Sequence, residues 1–170
     1  MTRRSDFTSD QWAALLDAIP QAARAVASAA GSARQTEDEL HEFIDLVEDS
    51  AEEEAGDLLL GDLVIDVHGM LASGGAPAPT DPASAYIGAL ETTRRAGAIL
   101  SVVAEPVQAE AVRDWFVRAM LRVAAAAREG GVLGVVGTAI SPGEQVVMSE
   151  LAEAFGADPT SGTSVESEGA

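Results

Sequence analysis

The sequence predicts an all-α protein: a compact bundle of five to seven helices with a Gly-rich loop and a disordered C-terminal tail. Three observations carry that expectation. Of the 170 residues, 33 are alanine and only seven are aromatic. Alanine joins the best helix propensity to a side chain with little to bury, so helices packed closely through small faces are expected. Helix-starting residues stand just ahead of apolar residues spaced three and four apart. Finally, residues 58–71 also read as a strand but have no evident partner strand elsewhere.

The elements follow in order. Thr8 with Gln11 has capping-box spacing, and Phe7 and Trp12 take the positions of a hydrophobic staple, which starts a helix at about Ser9. Pro20 is expected to kink that helix or to open a second one running to about Ala30, with Gly31 and Ser32 ending it. Thr36 and Glu39 repeat the capping-box spacing ahead of Leu40, Phe43, Ile44 and Val47, predicting a long helix with those residues inward. In 58–71, Leu59, Leu63, Val67 and Met70 suit a helix face, whereas Val64, Ile65 and Val67 suit a strand; the helix is preferred. Ser73 to Pro82 reads as a loop. Asp81-Pro82 caps and starts a helix through Tyr86, Leu90, Gly97 and Leu100 to Ala104.

Pro106 opens the next helix, with Val112, Trp115, Phe116, Met120 and Val123 as its buried stripe. Glu110, Asp114, Arg118 and Arg122 are expected to pair along its other side. Gly130 to Gly137 is uncharged and too rich in glycine for a good helix, so it reads as an apolar loop or short hairpin. Ser141 as N-cap, Pro142 at the first position and Glu144 closing the box start a last helix to Phe155. The expected organisation is a single helical domain over 1–155 and a disordered acidic tail over 156–170.

Charge excludes more than it assigns. The net charge is -18, all ten cationic side chains are arginine, and there is no cysteine. Disulfides, thiolate catalysis and Cys-ligated metals are therefore ruled out. So are a P-loop lysine and a Schiff-base lysine. Direct nucleic-acid binding is disfavoured because it draws on basic patches. Asp6, Asp10 and Asp17 stand where a secretory signal needs an apolar run, and no apolar stretch approaches the roughly 20 residues of a membrane span, so a cytoplasmic protein is expected. No Gly-x-Ser-x-Gly elbow, dinucleotide fingerprint or EF-hand loop occurs. The expectation is a protein that is not an enzyme.

The localised signal is acidic. Thirteen acids lie between Glu37 and Asp66, and no arginine occurs between Arg34 and Arg94. Asp38, Glu42, Asp45, Asp49 and Glu52 recur every three or four residues on one helix face. With Glu48 they form the expected docking surface for a basic partner protein. As a cation site, the candidates are Asp38, His41, Glu42, Asp45 and Asp49, since carboxylates suit calcium or magnesium; no other cofactor is expected. Glu37 and Asp38 precede His41 at the spacing of di-iron bundles, but a second copy would need an acid three residues before His68, where Ile65 stands. The plainest alternative is a solvated face, with His41 exposed and His68 partly buried and hydrogen-bonded. Two further readings are a metal-dependent enzyme or metal-binding protein using His41 and nearby carboxylates, and an acidic mimic of nucleic acid. Self-association is left open.

The runs Glu129-Gly130-Gly131-Val132-Leu133-Gly134, Ile140-Ser141-Pro142-Gly143-Glu144 and Leu151-Ala152-Glu153-Ala154-Phe155-Gly156 resemble a recurring tail of small bacterial helical proteins. They are also similar to the TerB-like, tellurite-resistance-associated helical domains, with their glycine loop, capped start and Leu-rich helix ending in Gly. The resemblance covers about a fifth of the chain. Gly137-Thr138-Ala139 stands in place of that family's Ala-Asp-Gly loop, so its metal-associated acid does not carry over; only Glu144 matches. The resemblance implies an all-helical, non-catalytic module linked to stress responses or membrane-associated complexes, with acidic residues that bind cations.

Overall fold

The computed structural model describes residues 1–29, 33–54, 57–73, 81–126 and 140–158. Six α-helices pack together in it: α1 (Ser9–Ala29), α2 (Ala33–Glu53), α3 (Leu58–Ala72), α4 (Pro82–Val103), α5 (Pro106–Ala126) and α6 (Pro142–Phe155). A 3-10 turn, Arg4–Asp6, precedes them, and no strand occurs among the described residues. Gly130 to Gly137, most of the loop from Ser73 to Pro82, and the tail from residue 159 lie outside the described residues.

Local chemistry sets most helix starts. At α1 the Gln11 N–H donates to Thr8 Oγ1 at 3.2 Å and the Thr8 N–H to Gln11 Oε1 at 2.9 Å, while the Phe7 and Trp12 rings meet at 5.4 Å. At α6 the same box joins Ser141 and Glu144. Asp81 caps α4 by accepting from both the backbone and the hydroxyl of Ser84, which hold its carboxyl below the usual range. Asp57 caps α3, accepting from the N–H groups of Leu59 and Leu60 at 2.9 Å each. Segment 58–71 is therefore helical.

Two expectations are corrected here. Thr36 does not cap α2, which starts three residues earlier at Ala33; its hydroxyl instead donates to the Ala27 carbonyl on α1 at 3.2 Å. Nor does Pro20 open a second helix. It is buried inside α1, which runs on to Ala29. An internal proline costs a helix about 3 kcal/mol, and burial against neighbours offsets that: α1 touches all five other helices, α4 most extensively.

Small residues bring the helices together. Ala18, Ala22 and Ala23 of α1 and Ala89, Thr93 and Ala96 of α4 are all fully buried. At Gly97 of α4 the Phe155 backbone of α6 lies where a Cβ would be, with the carbonyl oxygen 2.6 Å from that position. The ring of the same Phe155 stacks on Phe116 of α5 with centroids 4.4 Å apart, and the neighbouring Trp115 indole N–H donates to Ser50 Oγ of α2 at 3.0 Å. The Tyr86 hydroxyl of α4 donates to Glu150 of α6, a carboxylate partner that pushes the phenol pKa up. After Phe155, Gly156 turns left-handed at φ 77°, Ala157 N–H returns to the Ala152 carbonyl at 2.9 Å, and the Ala157 side chain joins the core.

Two buried side-chain atoms have no hydrogen-bond partner among the described residues, Arg113 Nε and the Thr93 hydroxyl, and Thr93 has no other polar side-chain atom to compensate. An unsatisfied buried hydroxyl costs about 1–3 kcal/mol, most of which is recovered when an apolar group of the same shape replaces it. Thr93→Val is accordingly expected to stabilise the protein by about 1 kcal/mol in urea unfolding. A loss of stability would show that the hydroxyl is satisfied in solution.

Candidate functional site

The acidic face is built by the periodicity of α2. Phe43, Val47 and Ser50 are buried, with Leu40 and Leu46 half-buried beside them. At 3.6 residues per turn the opposite side then carries Asp45, Glu48, Asp49 and Glu52, all exposed, with His41 also exposed and Glu42 half-buried at the edge. Asp38 lies in the first part of α2, and its side chain is outside the described set. Ile44, expected inward, is 41% exposed, because it falls about 100° around the helix from Phe43.

The face is partly neutralised from within. Arg118 and Arg122 do not pair along α5 with Asp114 or Glu110; they reach across to α2 and to Glu54 just after it. Arg118 Nη2 lies 3.4 Å from Glu54 Oε1. Arg122 spans two turns of α2, with Nε 3.8 Å from Glu42 and Nη2 3.5 Å from Asp49. Glu110 pairs instead with Arg113 at 3.5 Å. The Arg118 and Arg122 pairs are partly or largely solvent-exposed, and such bridges contribute about 0–1 kcal/mol each. Asp45, Glu48 and Glu52 have no cationic side chain within 4.0 Å among the described residues.

Two further acids of the interval serve the fold. Asp57 is a helix cap. Asp66 accepts from the Trp12 indole N–H at 2.8 Å and pairs with Arg4 at 3.0 Å, and the Arg4 guanidinium also lies over the Trp12 ring at 5.8 Å. That cluster ties the 3-10 turn and the start of α1 to α3. His68 is half-buried and has no hydrogen-bond partner among the described residues.

Divalent ions need oxygen ligands converging at about 2.3–2.6 Å. Among the described residues no group of three His, Asp or Glu side chains converges in that way. His41, Glu42, Asp45 and Asp49 are strung along α2, whose rise from 42 to 49 is about 10 Å, and the position between Glu42 and Asp49 is held by Arg122. No helix among the described residues is long and apolar enough to cross a membrane.

Sequence reasoning located the acidic stripe but missed the contacts that divide it. Nothing in the spacing of Arg118 and Arg122 indicates which helix they reach, since that depends on the packing of α5 against α2. Asp57, by contrast, stands just ahead of an apolar run and is readable as a cap.

The fold and its surface together define an all-α helical bundle presenting one strongly acidic helix face. No protein-family model matches the chain, and neither a curated protein nor a solved structure matches it.

Proposed function

We propose that this protein is a non-catalytic interaction module that docks a basic protein through the outward face of α2. The observation that supports the reading is the trio Asp45, Glu48 and Glu52, exposed and without a cationic neighbour among the described residues. These carboxylates do little for folding. Like charges at i,i+4, such as Asp45 with Asp49 and Glu48 with Glu52, destabilise a helix by a few tenths of a kcal/mol. A basic partner relieves that repulsion, and a one-sided field speeds its approach in a salt-dependent way. An extended row of carboxylates also suits a row of arginines or lysines better than it suits a single ion.

The test uses the triple variant Asp45→Asn, Glu48→Gln, Glu52→Gln. It is expected to melt at the parent temperature or slightly above, because three repelling charges are gone. Exposed ion pairs are worth about 0.2–1 kcal/mol each, so affinity for a basic protein captured at low salt should fall roughly tenfold. The same capture should be lost for the parent at high salt. Retention of the captured protein by the variant at parental affinity would remove the basis for this function.

A further inference from the structure

We propose that the pocket between α5 and α6 binds a small neutral, largely apolar molecule that carries one hydrogen-bonding group. The pocket has a volume of about 340 Å³, within the range of ligand sites. At the roughly 30 Å³ occupied by a water molecule in the liquid, it holds on the order of ten non-hydrogen atoms. Phe116, Met120 and Leu121 of α5 and Met148 of α6 line it. The Phe116 ring is fixed by its stacking on Phe155 and gives a flat wall. The two methionines are unbranched and polarizable, and they adapt to ligands of different shape.

Polarity is confined to one helix. Gln145 and Ser149 line the pocket from α6, one turn apart. Gln145 Nε2 already donates to the Ile140 carbonyl at 3.0 Å, which leaves its amide oxygen as an acceptor. The Ser149 hydroxyl has no protein partner among the described residues. Charge selects the ligand further. None of the described lining residues is charged, in a chain where 22% of residues are. A carboxylate would lose hydration there with no cation to replace it, and a net charge of -18 repels it before it arrives. An alcohol of the same length meets neither penalty and offers the hydroxyl that Gln145 and Ser149 can engage.

The experiment titrates the full chain with 1-aminonaphthalene, a fluorophore that is neutral at pH 7 and of the pocket's size, and displaces it with 1-decanol or decanoate. Saturable binding at one site is expected, with decanol displacing the probe at a concentration at least tenfold lower than decanoate. Met148→Trp, which fills the pocket, should weaken probe binding at least tenfold, while Val146→Ser, exposed on the same helix, leaves it unchanged. If Met148→Trp does not fold, Ser149→Ala decides: it should keep the probe and lose most of the preference for decanol over decane. The proposal is overturned by an absence of saturable binding, the result if another part of the chain fills the pocket. Equal displacement by decanoate, a folded Met148→Trp that binds as the parent does, or an unaltered alcohol preference in Ser149→Ala overturns it equally.

Discussion

Phe116→Ala is expected to lower the unfolding free energy by about 3–5 kcal/mol, the range for deleting a buried aromatic ring. The side chain is fully buried, and its stacking on Phe155 is one of the contacts that hold α6 to α5. Aromatic pairs of this kind contribute about 0.5–1.5 kcal/mol beyond their area, and the loss falls on a helix of only 14 residues. The pocket beside Phe116 would be enlarged rather than refilled, since Met120 and Met148 are already at its walls. Urea unfolding monitored by circular dichroism should show the midpoint moving down with little change of slope. Phe116→Leu keeps most of the volume and should lose clearly less. A Phe116→Ala loss below about 1 kcal/mol would mean that α6 is not held on α5 as described.

The second large effect concerns a residue with no side chain. Gly→Ala inside a helix ordinarily stabilises by about 0.5–1 kcal/mol. At Gly97 the sign should reverse. The added methyl would sit 2.6 to 2.8 Å from three backbone atoms of Phe155, which cannot rotate aside as a side chain can. Either α4 or α6 must move, and overpacking of that kind costs about 1–3 kcal/mol or more, so the clash outweighs the propensity gain. Gly69 of α3 provides the control, because its Cβ would meet nothing within 4 Å. Gly69→Ala should raise the urea midpoint and Gly97→Ala lower it. Equal shifts in the same direction would show that α4 and α6 are further apart than described.

These two sites mark the limit of what the sequence discloses. Helix starts at Thr8, Asp81 and Ser141 are readable because the cap and the residues it bonds are within three positions of each other. Thr36 misled for a tertiary reason: its hydroxyl has an acceptor on α1, so the box spacing with Glu39 was a coincidence of residue type. Pro20 misled because the cost of an internal proline is set against packing on α1 that no local rule contains. The acidic stripe was visible from periodicity alone. Its division into Asp66 and Asp57, which hold the fold, Glu42, Asp49 and Glu54, which meet arginines of α5, and the uncompensated Asp45, Glu48 and Glu52 was not, because each assignment depends on residues far away in sequence. The pocket between α5 and α6 was equally hidden, since the residues that form it come from two helices whose mutual placement no spacing encodes.

The position of α1 bears on the order in which the molecule is assembled. It is synthesised before the other five helices and touches all of them, as α5 also does, yet its most extensive partner, α4, begins only at Pro82. Chains are made from the N-terminus at about 5–20 residues per second, so the buried Leu15, Ile19 and Val26 of α1 are translated seconds before α4. Only α2 and α3 are available to shelter them meanwhile, and both have further contacts to make with α5. A bundle arranged in this way draws much of its stability from pairings distant in sequence, and it should fold more slowly than an up-and-down bundle of equal length. The acidity that repels in the finished protein should act on half-made chains as well, since the thirteen acids between Glu37 and Asp66 are in place before α4 is made.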